Sequence, residues 1–274
     1  MNYATLFDWN YIRKGMVLLK SMERHIPDYH AYVLALDNQT WRWMVAHLPK
    51  NTTVALLKPL VEGKLEQAKD NRTWTEFCWS LASFWTFRCM QIQNLDNLTY
   101  VDADCLFLSD PQPVFDEIGN APFAIPPHRF AEQDKARLSP NGTYNVNFVY
   151  FSRRGLACLR EWSDYCLDWC YYKNENGNFG DQGIFDTLVP KHNGHAIEHP
   201  GLNCAPWNQI QYKFRQAPGG WRISELPLIL YHFHELTIDE QGIITRTTGW
   251  PLNPDILPLY NQYQKELLNV QLVS

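Results

Sequence analysis

Two carboxylates lie one residue apart within an apolar segment near the middle of the chain. Asp102 and Asp104 belong to TYVDADCLFLSDP, residues 99–111, whose other residues predict a buried strand that stops at Ser-Asp-Pro. Side chains at positions i and i+2 of a strand point to the same face, roughly 6.5 Å apart at their α-carbons, so the two charges repel each other unless a cation lies between them. Mg²⁺ or Mn²⁺ takes oxygen ligands and keeps positions open for diphosphate oxygens. An isolated D-x-D is more often a turn or a cap, but its position at the end of an apolar strand favours a metal site.

Two histidines on a later predicted strand are further candidate ligands. His232 and His234 occur in LPLILYHFHEL, residues 226–236, and share one face of that strand. The neutral imidazole of either residue could complete the coordination of a divalent ion. A single strand histidine is usually a core residue, whereas a pair on one face favours a metal site.

Other polar residues have a structural and a functional interpretation. Asn147 is expected in the middle of the strand YNVNFVYFSR, where its amide needs a partner, either a sugar hydroxyl or a backbone group. Asp181 and Gln182 precede a predicted helix, so Asp181 is either an N-terminal cap or a ligand-binding carboxylate. Asp8 and Asn10 lie at the end of the first predicted strand and are either helix caps or ligand contacts.

The elements that position these residues alternate between strands and helices. YATLFDW and HAYVLALD predict strands, and YIRKGMVLLKSMERH between them predicts an amphipathic helix. A second helix, residues 73–93, opens with a Thr-x-x-Glu capping box and leads into the D-x-D strand. This order predicts one α/β domain, residues 1–274, with a mostly parallel sheet whose ligands lie at the carboxyl ends of its strands. The more irregular sequence after Pro111 predicts an elaborated lobe packed on the same domain.

Composition excludes several classes of protein. The net charge of −5 argues against nucleic acid as the main partner. Aromatic residues reach 14%, including eleven Trp, which indicates a large core together with flat surfaces for nucleobases and sugar rings. No segment resembles a signal peptide or a membrane span, and the seven cysteines include no C-x-x-C pair. We therefore expect a cytoplasmic protein without a transmembrane segment; peripheral membrane contact is compatible with this.

Several of these segments resemble one enzyme family, in the same order along the chain. YVDADCLFLSDP resembles the D-x-D segment of GT-A glycosyltransferases, which bind a nucleotide-diphosphate sugar through a divalent metal. FDWNYIRKG, YNVNFVYF, FGDQGIFD and YHFHEL are similar to the D-x-N-Y, N-x-G, D-Q and H-F segments of the family 8 type. A group of glycosyltransferases of bacterial polysaccharide biosynthesis is closer still, because it shares HRF, YNV-F, FGDQ, APWN and YHFH.

The resemblance implies a fold, a reaction and a set of site residues. It implies a GT-A fold with a nucleotide-binding half, residues 1–110, and an acceptor-binding half, residues 111–274. The implied reaction transfers a hexose, with retention favoured, from a nucleoside-diphosphate sugar, with UDP favoured, to a hydroxyl of a glycan or glycolipid, and uses Mn²⁺ or Mg²⁺. The implied metal ligands are Asp102, Asp104 and His232, with His234 as second choice. The implied donor or nucleotide contacts are Thr5, Phe7, Asp8, Asn10, Tyr11, Arg88, Asp102 and Asn147. Asp181 and Gln182 are the implied catalytic residues beside the donor sugar, and Arg129, Trp207 and Asn208 the implied acceptor contacts.

The sequence departs from the family 8 pattern after the histidine. Those enzymes continue with a glycine and a lysine that reaches the diphosphate, whereas this chain continues with Glu235-Leu236-Thr237. The basic partner of the diphosphate is therefore open between Arg88, Arg129 and Lys213. Asn147 also stands where the family often has glycine.

Three other functions remain as alternatives. An aspartyl-nucleophile phosphatase also ends a strand with D-x-D, but usually near its N-terminus and followed by Thr or Val, whereas Cys105 follows here. A sugar nucleotidyltransferase would carry a Gly-rich loop with a following Arg, which the first thirty residues lack. A non-catalytic carbohydrate-binding protein would use the aromatic surfaces and would need no metal.

Overall fold

The computed structural model describes residues 1–175, 177–239, 244–246 and 249–272. The strands are β1 Asn2–Phe7, β2 His30–Ala35, β3 Thr52–Leu56, β4 Asn97–Val101, β5 Cys105–Phe107, β6 Phe123–Ile125, β7 Phe148–Ser152, β8 His195–Ala196, β9 Phe214–Ala217, β10 Gly220–Ile223, β11 Leu226–Pro227, β12 Leu230–His232, β13 Thr237–Ile238 and β14 Ile244–Thr245. The α-helices are α1 Ile12–His25, α2 Asn38–Ala46, α3 Lys64–Asn71, α4 Trp74–Ile92, α5 Gln112–Ile118, α6 Leu138–Asn141, α7 Leu156–Asp168, α8 Phe185–Lys191 and α9 Leu257–Leu268.

The central sheet is mostly parallel, as the alternating pattern predicts. Its strand order is β3-β2-β1-β4-β7-β6-β8, and within it β7 alone runs against its neighbours. The carboxyl ends of β1, β2, β3 and β4 therefore meet at one edge, where ligands of open α/β sheets bind. Strands β6, β7 and β8 follow residue 111, so the second half of the chain also contributes to this sheet.

Helices cover both faces of the sheet. Tyr3 and Phe7 of β1 point into a core that includes α1, whereas Ala4 and Leu6 point into a second core that includes α4. This alternation follows from the two-residue period of a strand. None of the helices in the described part of the chain combines the length and the apolar character needed to cross a membrane.

The helix that precedes the D-x-D segment begins as predicted. The Thr73 hydroxyl accepts from the Glu76 N–H at 3.3 Å, and the Glu76 carboxylate accepts from the Thr73 N–H at 2.8 Å. This capping box fixes the first residue of α4. The indole N–H of Trp74, in the first turn, donates to Asp8 at 3.1 Å and so holds the start of α4 at the sheet edge where β1 ends.

The D-x-D segment is not one continuous strand, and this prediction was wrong. β4 ends at Val101, and residues 102–104 form a turn in which the Cys105 N–H donates to the Asp102 carbonyl at 3.1 Å. The chain then continues as β5, which leaves the central sheet and pairs antiparallel with β12. The turn carries both carboxylates to the sheet edge, where they escape the fully apolar interior.

The lobe beyond residue 200 is built from short elements. β9, β10 and β11 form an antiparallel sheet, β13 pairs with β14, and α9 packs against α1. The tail contains the helix α9, which follows a single 3₁₀ turn at Pro254–Ile256.

Gly15 sets the distance between α1 and β1, which yields a prediction. A β-carbon at Gly15 would lie 2.3 Å from Cε1 of Phe7, so Gly15→Ala should lower the free energy of unfolding by about 1–3 kcal/mol through overpacking. Urea denaturation measures this loss. Lys20→Ala, on an exposed position of the same helix, should change stability little, and Phe7→Leu should relieve part of the Gly15→Ala cost. A Gly15→Ala protein as stable as the wild type would contradict the contact.

Candidate active site

Two carboxylates and one imidazole converge where β4 ends. His232 Nε2 lies 3.1 Å from Asp104 Oδ1 and 3.9 Å from Asp102 Oδ2. The β5–β12 ladder produces this arrangement, because it pairs His232 with Cys105, the residue that follows Asp104. The side chains of His232 and Asp104 are nearly buried, whereas that of Asp102 is partly exposed.

The three groups shift one another's protonation. Burial raises the pKa of Asp102, and the Asp104 charge adds to this while His232 opposes it. Burial would also raise the pKa of Asp104, but the facing His232 imidazolium and the Lys14 ammonium lower it below its usual range. Burial would lower the pKa of His232, yet Asp104 and then Asp102 raise it. The 3.1 Å contact between Asp104 and His232 is therefore an ion pair when the imidazole is protonated.

The donor set fits a hard divalent ion. Two carboxylates and one imidazole are ligands that Mn²⁺ and Mg²⁺ accept in proteins, and such an ion would replace the proton that His232 Nε2 shares with them. The ligand atoms of Asp104, Cys105 and His232 all lie within 4.8 Å of one another, whereas Asp102 lies outside this group and approaches His232 Nε2 at 3.9 Å. Burial and both carboxylates raise the pKa of the Cys105 thiol well above its usual range, and a soft sulfur ligand suits Mn²⁺ or Mg²⁺ less well than oxygen ligands do. Asp102, Asp104 and His232 are thus the residues that could hold the ion.

His234 occupies a different position from His232. Its Nε2 lies 3.6 Å from the Glu235 carboxylate, and its ring packs edge-on against Trp207 with centroids 5.3 Å apart. Burial and the neighbouring His232 lower its pKa to about 4. The contacts to Asp102 and Asp104 favour His232 as the ligand, which stays a prediction.

The first turn of α1 brings two further side chains to the carboxylates. Lys14 Nζ lies 3.9 Å from Asp104 Oδ2 and 3.9 Å from the centroid of the Tyr11 ring. Lys14 is only 2% exposed, whereas Tyr11 is 40% exposed. The accessible Tyr11 ring is compatible with the predicted stacking on a nucleobase. Lys14 was missed from sequence, although a helix that directly follows the first strand must begin at the same sheet edge as the D-x-D.

Asp8 is a cap, and Asn10 is accessible at the same edge. One Asp8 oxygen accepts from the Tyr11 N–H at 3.1 Å, which caps the 3₁₀ turn Trp9–Tyr11. The other Asp8 oxygen accepts from Trp74, and Asn10 is exposed. Their contacts with a nucleotide stay predictions.

Asp181 is not a helix cap. It lies in a turn, and α8 begins four residues later at Phe185, with Ile184 in the capping position. The Asp181 side chain is nearly buried, and burial followed by the Asp102 charge raises its pKa well above its usual range. The neighbouring Gln182 amide accepts from Asn145 at 3.3 Å and donates to the Asn141 carbonyl at 2.9 Å, so its orientation is fixed.

Asn147 lies behind the D-x-D turn. The expectation that it is in mid-strand was wrong, because β7 begins at Phe148, where pairing with Val101 starts. Its backbone carbonyl accepts from the Asp102 N–H at 3.1 Å, and its amide nitrogen lies 3.9 Å from the Cys105 sulfur. The side chain is fully buried, and its oxygen has no hydrogen-bond partner among the described residues. Asn147 therefore supports the D-x-D turn from the buried side.

Trp207 and Asn208 lie beneath the two histidines. The Trp207 ring is edge-on to His232 at 5.4 Å between centroids, and its indole N–H donates to the His128 carbonyl at 2.9 Å. The fully buried Asn208 amide donates to the carbonyls of His128 and Asn203, and its oxygen accepts from the Ala205 N–H. These bonds saturate the Asn208 amide, so its assignment as an acceptor contact was wrong. Trp207, only 4% exposed, backs the site; an acceptor contact for it stays a prediction.

Two residues predicted to bind the nucleotide belong to the core. Thr5 and Phe7 are 0% and 2% exposed, because β1 is an inner strand with helices on both of its faces. Their side chains are therefore closed off from a ligand, so a nucleotide contact would use the backbone near the end of β1, and the two assignments stay predictions.

None of the three basic residues that were expected to bind the diphosphate contacts Asp102 or Asp104. Arg88 follows Trp74 by about four helical turns, or ~21 Å, and therefore lies near the far end of α4, away from the site. The Arg129 guanidinium donates to the backbone carbonyls of residues 198, 199 and 202, which ties it to a loop. Lys213 is exposed before β9. The Arg88 assignment was wrong, and an acceptor role for Arg129 stays a prediction.

The chain is similar in sequence to two bacterial proteins. No protein-family model matches the chain. Two similar proteins of Bacillus subtilis (strain 168) are the uncharacterized YfnD and YfnF. YfnD is 29% identical over 244 residues, which span 86% of this chain and 78% of YfnD. YfnF is 28% identical over 277 residues, which span 95% of this chain and 90% of YfnF.

Solved glycosyltransferases superpose on most of the chain. Galactosyltransferase LgtC, in complex with donor and acceptor sugar analogs, gives a TM-score of 0.60 at 15% identity and covers 100% of this chain and 97% of its own. Glycosyltransferase GlyE of Streptococcus pneumoniae TIGR4 gives 0.56 at 16% identity, over 98% of this chain and 62% of its own. The chain has the GT-A fold. The fold implied by the sequence resemblance is therefore confirmed.

The ion pairs around Asp104 yield a prediction. Asp104→Asn should abolish Mn²⁺ binding, and it should lower the free energy of unfolding by about 1–3 kcal/mol because Lys14 and His232 lose their buried partner. Isothermal calorimetry with Mn²⁺ and thermal unfolding measure the two effects. Asp70→Asn, on an exposed position of α3, is the matched control and should change neither. Mn²⁺ binding retained in a folded Asp104→Asn protein would remove Asp104 from the ligand set.

Proposed function

We propose that this protein is a metal-dependent glycosyltransferase. It transfers a hexose from a nucleoside-diphosphate sugar, with UDP favoured, to a hydroxyl of a glycan or glycolipid in polysaccharide biosynthesis. The observation that carries the proposal is the convergence of Asp102, Asp104 and His232 at the carboxyl edge of a GT-A sheet. The LgtC structure, with its donor and acceptor sugar analogs, supports this assignment.

Residues at the carboxyl edge of the sheet have separate roles in donor binding. Asp102, Asp104 and His232 would hold Mn²⁺ or Mg²⁺, which would supply Lewis-acid stabilisation of the leaving diphosphate. The exposed Tyr11 ring offers a face to the nucleobase, and Asp8 with Trp74 holds that corner of the site in place. Residues 1–110 thus form most of the nucleotide-binding half, and residues 111–274 form the acceptor-binding half and add His232 to the donor site.

The position of Asp181 favours transfer with retention. An inverting enzyme needs an ionised carboxylate that reaches the acceptor hydroxyl. Asp181 is nearly buried, and burial with the Asp102 charge raises its pKa, so it is poorly suited to that task. A role toward the donor sugar requires less exposure and fits its position beside Asp102.

Nucleotide binding is the direct test. Calorimetry with UDP should show binding in the presence of Mn²⁺ and little or none after chelation with EDTA, because Asp102 and Asp104 would repel the diphosphate unless a divalent ion neutralised their charges. Asp104→Asn should lose the Mn²⁺-dependent part, and Asp70→Asn should keep it. Equal UDP binding with and without Mn²⁺ would contradict the proposal.

The same measurements separate the alternative functions. A carbohydrate-binding protein would bind oligosaccharides without Mn²⁺ and would not bind UDP. A phosphatase would release phosphate from a phosphomonoester, and a nucleotidyltransferase would bind a nucleoside triphosphate and release pyrophosphate. Any of these results would replace the glycosyltransferase assignment.

The role of Asp181 yields a further prediction. Asp181→Asn should lower both sugar transfer and slow hydrolysis of the donor by about tenfold or more, because it removes a group that acts on the donor sugar in both reactions. Binding of UDP with Mn²⁺ should change little. Asp164→Asn, exposed on α7, is the control. Transfer that falls much more than hydrolysis would instead assign Asp181 to the acceptor side, and a wild-type rate would leave it without a catalytic role.

A further inference from the structure

The ammonium group of Lys14 is buried beside the carboxylates. Lysine is rarely buried without a partner, because removing its charge from water is costly. Lys14 is 2% exposed, and the carboxylate within 4 Å of its Nζ, among the described residues, is that of Asp104. The Tyr11 ring contacts the same nitrogen at 3.9 Å from the ring centroid and holds it in place by a cation–π interaction.

A divalent ion at the carboxylates would change this balance of charge. Asp102 and Asp104 together neutralise two positive charges, which are those of the ion. His232 contributes no charge as a neutral ligand. Lys14 would then keep a buried positive charge offset only by Asp8 among the carboxylates that act on it, and an anion at the ammonium group would complete the balance.

The sequence and the fold place Lys14, and not the three basic residues expected from the sequence, beside the carboxylates. The chain has Glu235-Leu236-Thr237 where a lysine would follow the histidine, and Arg88, Arg129 and Lys213 make no contact with Asp102 or Asp104. Lys14 is held in the first turn of α1, directly behind the exposed Tyr11 ring and beside Asp104. An anion that binds an ion at Asp104 would therefore come within reach of Lys14.

We propose that Lys14 forms an anion subsite that binds the diphosphate of the donor beside the metal ion. This inference rests on the proposed function, since it assumes a diphosphate ligand. The ammonium donates charge-assisted hydrogen bonds to phosphate oxygens, and it adds positive charge where the leaving diphosphate becomes more negative. Lys14 is then the basic partner of the diphosphate that the C-terminal pattern of the chain lacks.

The experiment compares ligands that differ in the second phosphate. Calorimetry measures Mn²⁺ alone, and then UMP, UDP and inorganic pyrophosphate, each with saturating Mn²⁺, for the wild type, Lys14→Gln and Lys14→Met. Lys20→Gln removes the same charge from an exposed position of α1 and is the matched control. Thermal unfolding and circular dichroism verify that each variant is folded, and the apolar Lys14→Met guards against a loss of folding caused by a buried amide.

The proposal predicts which affinities change. Lys14→Gln and Lys14→Met should reduce the affinity for UDP and for pyrophosphate by about tenfold or more, the worth of one charge-assisted contact. UMP should be affected much less, and Mn²⁺ alone should bind as well as in the wild type or better, because a neighbouring cation has been removed. Lys20→Gln should match the wild type throughout.

Each other outcome decides the question. An unchanged ratio of UDP to UMP affinity in both Lys14 variants, or a loss of Mn²⁺ binding alone, would overturn the subsite and leave Lys14 as a structural partner of Asp104. A wild-type protein that binds Mn²⁺ with pyrophosphate but not UDP would contradict the proposed donor, while the pyrophosphate comparison would still test Lys14. Failure of the wild type to bind pyrophosphate with Mn²⁺ would overturn the anion subsite itself.

Discussion

The structure depends on holding two neighbouring carboxylates at the edge of a largely apolar sheet. Asp102 and Asp104 would repel each other in a strand, and burial makes their charges more costly. The fold meets this constraint with a turn after β4 and with cations from two distant parts of the chain, His232 of β12 and Lys14 of α1. Because these partners lie far apart in sequence, the site exists only when the N-terminal sheet and the C-terminal lobe are packed together.

Packing in the lobe maintains that arrangement from below. His232 reaches the carboxylates because β12 pairs with β5, and its ring rests against Trp207. Trp207 and Asn208 are in turn tied to the carbonyl of His128, whose ring nitrogen binds the chain near Gly142. Polar groups that are fully satisfied in this way make a rigid support. The lobe therefore supplies both His232, which faces the carboxylates, and the Trp207 ring that supports it.

Local patterns predicted the elements well, because they depend on nearby residues. The alternation of strands and helices gave the parallel sheet, and the Thr73–Glu76 capping box gave the start of α4. The pairing of β5 with β12, which breaks the D-x-D strand, joins segments more than a hundred residues apart and leaves no local mark. The saturation of Asn208 depends on backbone carbonyls that no side-chain pattern identifies. The position of Lys14, by contrast, could have been predicted from the sequence, since α1 directly follows β1 and its first turn must therefore lie at the site.

Aromatic residues illustrate how burial selects among candidates that look alike in sequence. Trp207 is packed behind the histidines, and Trp162 lies in the core beneath Asp181, to whose carbonyl it donates. By contrast, Tyr11 and Trp74 keep 40% and 47% of their surface exposed. Asp8 joins them, because it accepts from the backbone of Tyr11 and from the indole of Trp74. Accessible ring surface next to the carboxylates is thus concentrated where β1 ends. A nucleotide whose base bound there would extend its phosphates toward Lys14 and the D-x-D turn.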